Sequence, residues 1–279
     1  MAQIHPESIH AEFHKEIVIV PCMLAGVSSL RCVLDTGSSM TGVSPKLVEQ
    51  LKLHPVSEPG ASSSSPLAYT LPSQKVQLGT NMLIVERMGM APLDVVSKAV
   101  GERVDVLLGT SAFEQLQITI DPVLSEVRIA APSTAVSGTA HSIQIIMPNH
   151  VPIGFATMKA AGDKGVIVPM HIDTGSMPTL LLNKPFWDAH PEIATGNRAV
   201  RDSDVLLTVD GMRFGGEFRN VPAIESLDTS VARSSRLVGG WIGAPVLNRF
   251  VITYDLGRSA MYTTPVSGFD RPFERPPAR

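Results

Sequence analysis

Asp35-Thr36-Gly37-Ser38 recurs in this chain as Asp173-Thr174-Gly175-Ser176. Each copy follows an apolar run, Cys32-Val33-Leu34 in the first case and Met170-His171-Ile172 in the second, and such runs are typical of β-strands. A given tetrapeptide arises by chance at roughly one position in 10⁵, so two copies in matching contexts indicate an internal duplication. The duplicated feature is a carboxylate on a tight glycine turn.

The repeat extends beyond the tetrapeptide. Leu107-Leu108-Gly109 follows the first copy and Trp241-Ile242-Gly243 follows the second. A repeat of this length is too long for a solenoid unit and predicts two similar lobes related by a pseudo-two-fold axis. Alignment on these glycines matches Ile118-Thr119 with Ile252-Thr253, Asp121 with Asp255, and Ser125 with Ser259.

The fold class predicted is all-β, with a few short helices. Apolar, β-branched runs at residues 16–20, 27–34, 155–160 and 166–172 predict strands, with turns at Ala25-Gly26 and at residues 162–165. No segment has the sustained 3.6-residue period of a long helix. Twenty-two glycines and twenty-two prolines in 279 residues are consistent with many short strands joined by turns.

Two short helices are expected after the apolar runs. Ser44-Pro45 has the pattern of an N-cap followed by proline at the first helical position. Leu47, Val48 and Leu51 then form one apolar face. Ser111 is predicted to cap a second helix that runs through Leu116.

Composition limits the domain organisation and the partners. We expect an N-terminal lobe over residues 1–130, a linker over 131–142 rich in small residues, and a C-terminal lobe over 143–279, with a frayed tail from 268. The net charge of −3 provides no basic field for binding nucleic acid. The sequence contains no run of about 18 apolar residues, so it predicts no membrane-spanning helix. The compartment is left open, and one option is export to the periplasm with a leader absent from this chain.

These motifs resemble those of the aspartic proteases. Residues 33–39 and Val43-Ser44-Pro45 are similar to the first-lobe signature of the pepsin-like enzymes, and the two apolar-apolar-Gly elements also match the family. The Ile-Thr-x-Asp ending of each half is similar to single-lobe retropepsins. The resemblance covers residues 16–264 and implies a bilobal, pseudo-two-fold fold with lobes like double-psi β-barrels, as in two fused retropepsin-type units.

The resemblance implies that Asp35 and Asp173 are the catalytic residues and that they face each other at the floor of a cleft. Two carboxylates this close cannot both ionise, so they share a proton and activate one water. The predicted chemistry requires no metal and no organic cofactor. Gly37 and Gly175 are expected to let the two loops approach each other closely. Thr36 and Thr174 are expected to hydrogen-bond across the pseudo-two-fold axis. Ser38 and Ser176 are expected to donate to the outer carboxylate oxygens.

The predicted function is that of a monomeric aspartic endopeptidase acting on extended or unfolded peptides. The alternative is a non-catalytic peptide-binding or structural protein with the same fold. Retention of both aspartates favours the enzyme, because a protein without catalysis has no need of a costly pair of like charges. An isolated Asp-Thr-Gly is usually a turn. A phosphorylated aspartate site would carry a lysine after the aspartate, and this lysine is absent here. The usual motifs of serine hydrolases, Gly-x-Ser-x-Gly, and of zinc proteases, His-Glu-x-x-His, are also absent from the sequence.

Three features of the sequence leave alternatives open. His171, two residues before Asp173, is favoured as a hydrogen-bonded core histidine over a charged neighbour of the dyad. The segment that would correspond to the family's flap is 60–70, and Tyr69 is the only tyrosine nearby. The serine run in this segment fits a disordered surface loop equally well. The counterpart of this segment in the second lobe is 195–198. A symmetric hairpin would place Cys22 opposite Cys32, and free thiols are favoured over a disulfide.

Overall fold

The computed structural model describes residues 4–57, 69–136, 138–159, 165–191, 193–201, 204–226 and 238–273. Most of this part of the chain is β-structure, and the helices are short. The strands are β1 Glu7–His10, β2 Glu12–His14, β3 Ile17–Leu24, β4 Val27–Leu34, β5 Thr41–Val43, β6 Val56–Ser57, β7 Tyr69–Leu71, β8 Gln74–Leu78, β9 Asn81–Val85, β10 Met88–Met90, β11 Val106–Leu108, β12 Gln117–Asp121, β13 Glu126–Ala130, β14 His141–Ile146, β15 Ile153–Lys159, β16 Gly165–Asp173, β17 Leu180–Leu182, β18 Ala194–Arg201, β19 Asp204–Phe214, β20 Gly216–Ser226, β21 Gly240–Gly243, β22 Phe250–Asp255 and β23 Ala260–Pro265. The α-helices are α1 Pro45–Gln50, α2 Asp94–Val100, α3 Thr110–Phe113, α4 Lys184–Ala189 and α5 Ala244–Leu247.

The first half of the chain forms a sheet with strand order β6-β7-β10-β5-β11-β4-β3-β8-β9, and β2 pairs with β3. Strand β4 leads into the first motif and β5 follows it, yet β11 lies between them, parallel to β4 and antiparallel to β5. The strand that ends in Leu107-Leu108 is therefore inserted between the two strands that flank the motif loop.

The second half repeats this arrangement in a larger sheet. Its strand order is β1-β13-β12-β22-β23-β14-β15-β16-β21-β17-β20-β19-β18. Strand β21 lies between β16 and β17, again parallel to the strand that enters the motif. An additional pairing between β15 and β19 closes six of these strands into a barrel. The predicted all-β, bilobal pseudo-two-fold fold is confirmed.

The two halves share one sheet. Strands β12 and β22 pair antiparallel, with Thr119 opposite Thr253, and these are the residues that the repeat alignment matched. Ser125 and Ser259, also matched, both adopt the left-handed backbone conformation, with φ of 52° and 53°. Residues 131–140 connect β13 with β14, and the boundaries at 130 and 142 stay a prediction.

Burial follows the strand alternation. In β16 the side chains of Val168, Met170 and Ile172 are fully buried, whereas the intervening residues are half-buried or exposed. Helix α1 begins as predicted, because the Ser44 hydroxyl accepts a hydrogen bond from the Leu47 backbone N–H at 3.4 Å. No helix among the described residues is both long enough and apolar enough to cross a bilayer.

The predicted cap of the second helix is wrong. Helix α3 begins at Thr110 with Gly109 as its N-cap, so Ser111 lies inside the helix. Its hydroxyl instead shares a hydrogen bond of 2.9 Å with the Thr41 hydroxyl, and this contact ties α3 to the segment that follows the first motif. Helix α2, which is seven residues long, was not expected from the sequence.

The preference for free cysteines is also wrong, since Cys22 and Cys32 form a disulfide. Their Cα atoms lie 6.0 Å apart, within the usual range for such a bond. The hairpin is not symmetric about Val27: the ladder pairs Cys22 with Leu30 and contains a register shift just beyond Cys22. The two cysteines are therefore diagonal neighbours on one buried face of β3 and β4.

Candidate active site

Each motif aspartate lies where a buried strand meets the inserted strand. The Asp35 backbone N–H donates to the Leu108 carbonyl at 2.9 Å. Asp173 is the last residue of β16, opposite Gly243 of β21. Because both inserted strands run parallel to the strands that carry the aspartates, the topology delivers the two carboxylates to equivalent ends of the two halves.

Two threonines make four hydrogen bonds that hold the motif loops together. The Thr36 backbone N–H donates to Thr174 Oγ1 at 3.0 Å, and the Thr174 backbone N–H donates to Thr36 Oγ1 at 3.1 Å. Each hydroxyl then donates across the axis at 2.7 Å, Thr36 to the Ile172 carbonyl and Thr174 to the Leu34 carbonyl. Both threonines are buried, and the cross-axis bonding that the resemblance implied is present.

The glycine after each threonine packs against the opposite aspartate. A Cβ atom on Gly37 would overlap the carboxylate of Asp173, and one on Gly175 would lie 2.6 to 2.9 Å from the carboxylate atoms of Asp35. Neither glycine has a positive φ, so the reason for glycine here is close approach and not backbone freedom. The two loops could not meet at this distance with alanine in either position.

The carboxylates of Asp35 and Asp173 are within hydrogen-bonding distance of each other. Both residues keep some access to solvent, but the surrounding protein removes water from the carboxylates, and this burial raises the pKa of both. The negative charge of Asp35 raises the pKa of Asp173 further, whereas the hydrogen bond from Asp173 lowers that of Asp35. The arrangement therefore favours a proton on Asp173 and a charge on Asp35.

Backbone groups stabilise the charged forms. The Gly37 N–H donates to Asp35 Oδ1 at 2.8 Å, and the Gly175 N–H donates to Asp173 Oδ1 at 2.9 Å. Each bond lowers the pKa of the aspartate that accepts it. Each motif glycine therefore supplies a backbone donor to the aspartate two residues before it.

The predicted role of the Ser38 hydroxyl is wrong. Ser38 Oγ donates to the Met40 carbonyl at 2.7 Å, because the chain turns back on itself before β5. The backbone N–H of Ser38, and not its hydroxyl, lowers the pKa of Asp35. At Asp173 the corresponding effect also comes from the backbone N–H of Ser176, and no hydrogen bond from the Ser176 hydroxyl to this carboxylate is found within the described residues.

The apolar-apolar-Gly elements brace the far side of each loop. The N–H of Thr110 donates to the Ser38 carbonyl at 2.8 Å, and the N–H of Ala244 donates to the Ser176 carbonyl at 2.8 Å. A Cβ on the preceding glycine, Gly109 or Gly243, would overlap the backbone carbonyls of the loop. The repeat therefore conserves a contact as well as a sequence pattern between the two halves.

His171 is half-buried on β16, and its ring stacks on Trp241 with centroids 5.2 Å apart. Burial lowers the pKa of the imidazole, which favours the neutral ring. Its Nδ1 atom is buried without a hydrogen-bond partner in the described part of the chain. The favoured interpretation of His171 as a hydrogen-bonded core histidine does not hold for Nδ1. The ring is packed by aromatic stacking on Trp241 instead.

The flap prediction falls mostly outside the described residues. Tyr69 is the half-buried first residue of β7, whereas residues 58–68 are not described. The second-lobe counterpart at 195–198 lies within β18, and its side chains are not described. Thr41 and Gly42, which follow the first motif, are buried in β5.

Sequence reasoning missed one cluster next to the first loop. Arg87 donates to the Ser39 carbonyl and pairs with Glu114, which in turn contacts His150. These residues are far apart in the sequence and follow no motif, so only the fold reveals them. No group of three or more His, Cys, Asp or Glu side chains with metal-binding geometry occurs within the residues that the structure describes.

The chain is similar to known aspartic proteases in part of its sequence and in its fold. A family model described as aspartyl protease matches residues 20–112, which include the first motif and Leu107-Leu108-Gly109. The aspartic proteinase from Irpex lacteus superposes with a TM-score of 0.52 at 15% identity, covering 94% of this chain and 98% of that chain. Basic 7S globulin from soybean superposes with a TM-score of 0.49 at 10% identity, covering 94% and 95%. Comparison with curated protein sequences found no match.

Proposed function

We propose that this chain, whose fold is that of the aspartic proteases, is an aspartic endopeptidase with Asp35 and Asp173 as its catalytic residues. The observation that carries the proposal is the hydrogen-bonded pair of carboxylates on two duplicated loops, which reciprocal threonine hydrogen bonds and close glycine packing hold together. A pair of buried like charges is costly to keep, and its chemical use is to hold one proton between two acids.

The pKa directions support a different role for each aspartate. Ionised Asp35 takes a proton from water as the water oxygen bonds to the carbonyl carbon of the scissile peptide. Protonated Asp173 gives its proton to the carbonyl oxygen, so the product of the step is a neutral gem-diol. In the second step one hydroxyl proton returns to Asp173, the proton on Asp35 passes to the amide nitrogen, and the C–N bond breaks. The dyad ends with the protonation state in which it began.

The proposed substrate is an extended or unfolded peptide with apolar residues flanking the cleaved bond. Both halves of the site are on one chain, so we propose that the monomer is complete, with lobes at residues 1–130 and 143–279 joined by 131–142. Specific activity should then stay constant on dilution. A fall that tracks a monomer–dimer equilibrium would contradict the monomer alone.

The test is cleavage of a denatured protein at several pH values, with and without a transition-state-mimicking inhibitor of aspartic proteases. The parent chain should cleave in an inhibitor-sensitive manner, and Asp35→Asn should abolish cleavage. The matched control is Asp94→Asn, since Asp94 is exposed at the first turn of α2. Full activity in Asp35→Asn would refute the assignment, and peptide binding without cleavage by the parent chain would favour a non-catalytic protein.

A further inference from the structure

Three consecutive carbonyl groups after the first motif each have a dedicated donor. The Ser38 carbonyl accepts from the Thr110 N–H at 2.8 Å, and the Met40 carbonyl accepts from the Ser38 hydroxyl at 2.7 Å. The Ser39 carbonyl between them accepts from Arg87 Nε at 3.1 Å. Of the three donors, Arg87 alone is a charged side chain brought from a distant part of the chain.

Arg87 belongs to a closed circuit of contacts that starts and ends at this loop. Its Nη2 lies 2.7 Å from Glu114 Oε2, and Glu114 Oε1 lies 2.8 Å from His150 Nδ1. The His150 carbonyl accepts from Thr110 Oγ1 at 2.6 Å, and the Thr110 N–H returns to the Ser38 carbonyl. Glu114 is the more buried partner of the ion pair, so it orients the guanidinium from the protein side.

The second loop is restrained in another way. There the Ala244 N–H holds the Ser176 carbonyl at 2.8 Å, as in the first loop. Pro178, however, stands where the first loop has Met40, and the proline ring restricts φ covalently. The first loop has no proline at this position, and Arg87 supplies the restraint from outside the loop.

We propose that Arg87 is a positioning residue for the catalytic loop of Asp35, acting through the Ser39 carbonyl, and that Glu114 orients Arg87 for this purpose. The inference rests on the proposed function. Asp35 must meet both Asp173 and the attacking water, and a shift of the loop by about 1 Å is enough to slow an enzyme by about 100-fold. Loss of Arg87 therefore reduces the rate of the chemical step more than substrate binding.

The experiment measures kcat and KM for a peptide substrate with the parent chain, Arg87→Met, Glu114→Ala and Glu114→Gln. The control is Arg103→Met, because Arg103 also donates to a backbone carbonyl, that of Ser29, and also pairs with a carboxylate, that of Asp105. Arg87→Met and Glu114→Ala should lower kcat by about 10-fold to 100-fold with KM changed by less than about twofold. Glu114→Gln keeps an oxygen acceptor for the guanidinium and should restore most of the rate, and Arg103→Met should match the parent.

The outcomes separate this inference from the proposed function. If the parent cleaves in an Asp35-dependent manner and Arg87→Met retains the parental kcat, the positioning role is refuted alone. If Arg87→Met does not fold, the comparison of Glu114→Ala with Glu114→Gln decides, and equal kcat values for these two refute the role. A parent chain without Asp35-dependent cleavage would overturn the proposed function and this inference together.

Discussion

The hydroxyl oxygens of Thr119 and Thr253 lie 2.8 Å apart and share a hydrogen bond where β12 pairs with β22. Thr36 and Thr174 form a second symmetric pair, between the motif loops. Each pair consists of equivalent residues from the two copies of the repeat, so both mark the pseudo-two-fold axis. The axis therefore passes from the shared sheet to the point where the two carboxylates meet.

Thr36→Val should destabilise the protein by about 2–4 kcal/mol, because it leaves the buried Ile172 carbonyl and Thr174 N–H without partners. Thr36→Ser keeps the hydroxyl and loses one methyl group, so it should cost only about 1 kcal/mol. The free energy of unfolding from urea titration measures both. Equal losses in the two variants would show that packing, and not the cross-axis hydrogen bonds, dominates at this site.

Asp173→Asn should stabilise the protein more at pH 7 than at pH 3. Burial, and then the charge of Asp35, raise the folded-state pKa of Asp173, whereas an unfolded aspartate titrates near about 3.9. The contribution of protonated Asp173 to the free energy of unfolding is complete below the unfolded-state pKa. This contribution is lost as the pH rises through the folded-state pKa. Asparagine does not titrate, so its advantage grows with pH.

Unfolding free energies of the parent and Asp173→Asn across this pH range test the effect without any assay of activity. Asp94→Asn is the matched control, since Asp94 is exposed, and its difference from the parent should be small at every pH. The same difference for Asp173→Asn at pH 3 and pH 7 would contradict a raised pKa.

Ser38→Ala should leave both limbs of the pH–activity profile in place. Under the proposed function the active form has one proton on the dyad, so kcat/KM should be bell-shaped with an acidic optimum. The Ser38 hydroxyl donates to the Met40 carbonyl and not to Asp35, so its removal takes no donor from the carboxylate. An upward shift of the acidic limb in this variant would mean that the hydroxyl bonds the carboxylate after all.

Reduction should increase the intact mass of the protein by about 2 Da, because Cys22 and Cys32 are joined. The bond closes a loop between positions 10 residues apart, and such a loop contributes about 2–3 kcal/mol through the unfolded state. Reduced and oxidised samples compared by denaturant titration give this value. An unchanged mass on reduction would restore the free thiols that the sequence favoured.

The predictable features were the local ones. A turn tetrapeptide after an apolar strand, and an N-cap before a proline, are decided by neighbours in the sequence, so the motif loops and α1 were recognised. The hydrogen bond of Ser38 depends on how the loop folds back to Met40. The disulfide depends on the register of the hairpin, in which Cys22 pairs with Leu30 and Cys32 pairs with Val20, and the turn residues alone do not fix this register.

The cluster of Arg87, Glu114 and His150 lay further out of reach. Charged residues at irregular spacings are usually solvated surface, and nothing in their sequence context distinguishes these three. Arg87 reaches the first loop because it directly precedes β10, which pairs with β5, and Glu114 reaches it at the end of α3. Their contact is a consequence of the fold and not one of its sequence signals.

The pairing of β12 with β22 also restricts how the protein can move. Three residue pairs of this ladder, Ile118–Tyr254, Thr119–Thr253 and Ile120–Ile252, link the two halves. A rigid hinge between the halves would have to break this ladder and the buried threonine bonds above it at the same time. Under the proposed function, a polypeptide substrate must therefore enter without separating the halves at β12 and β22.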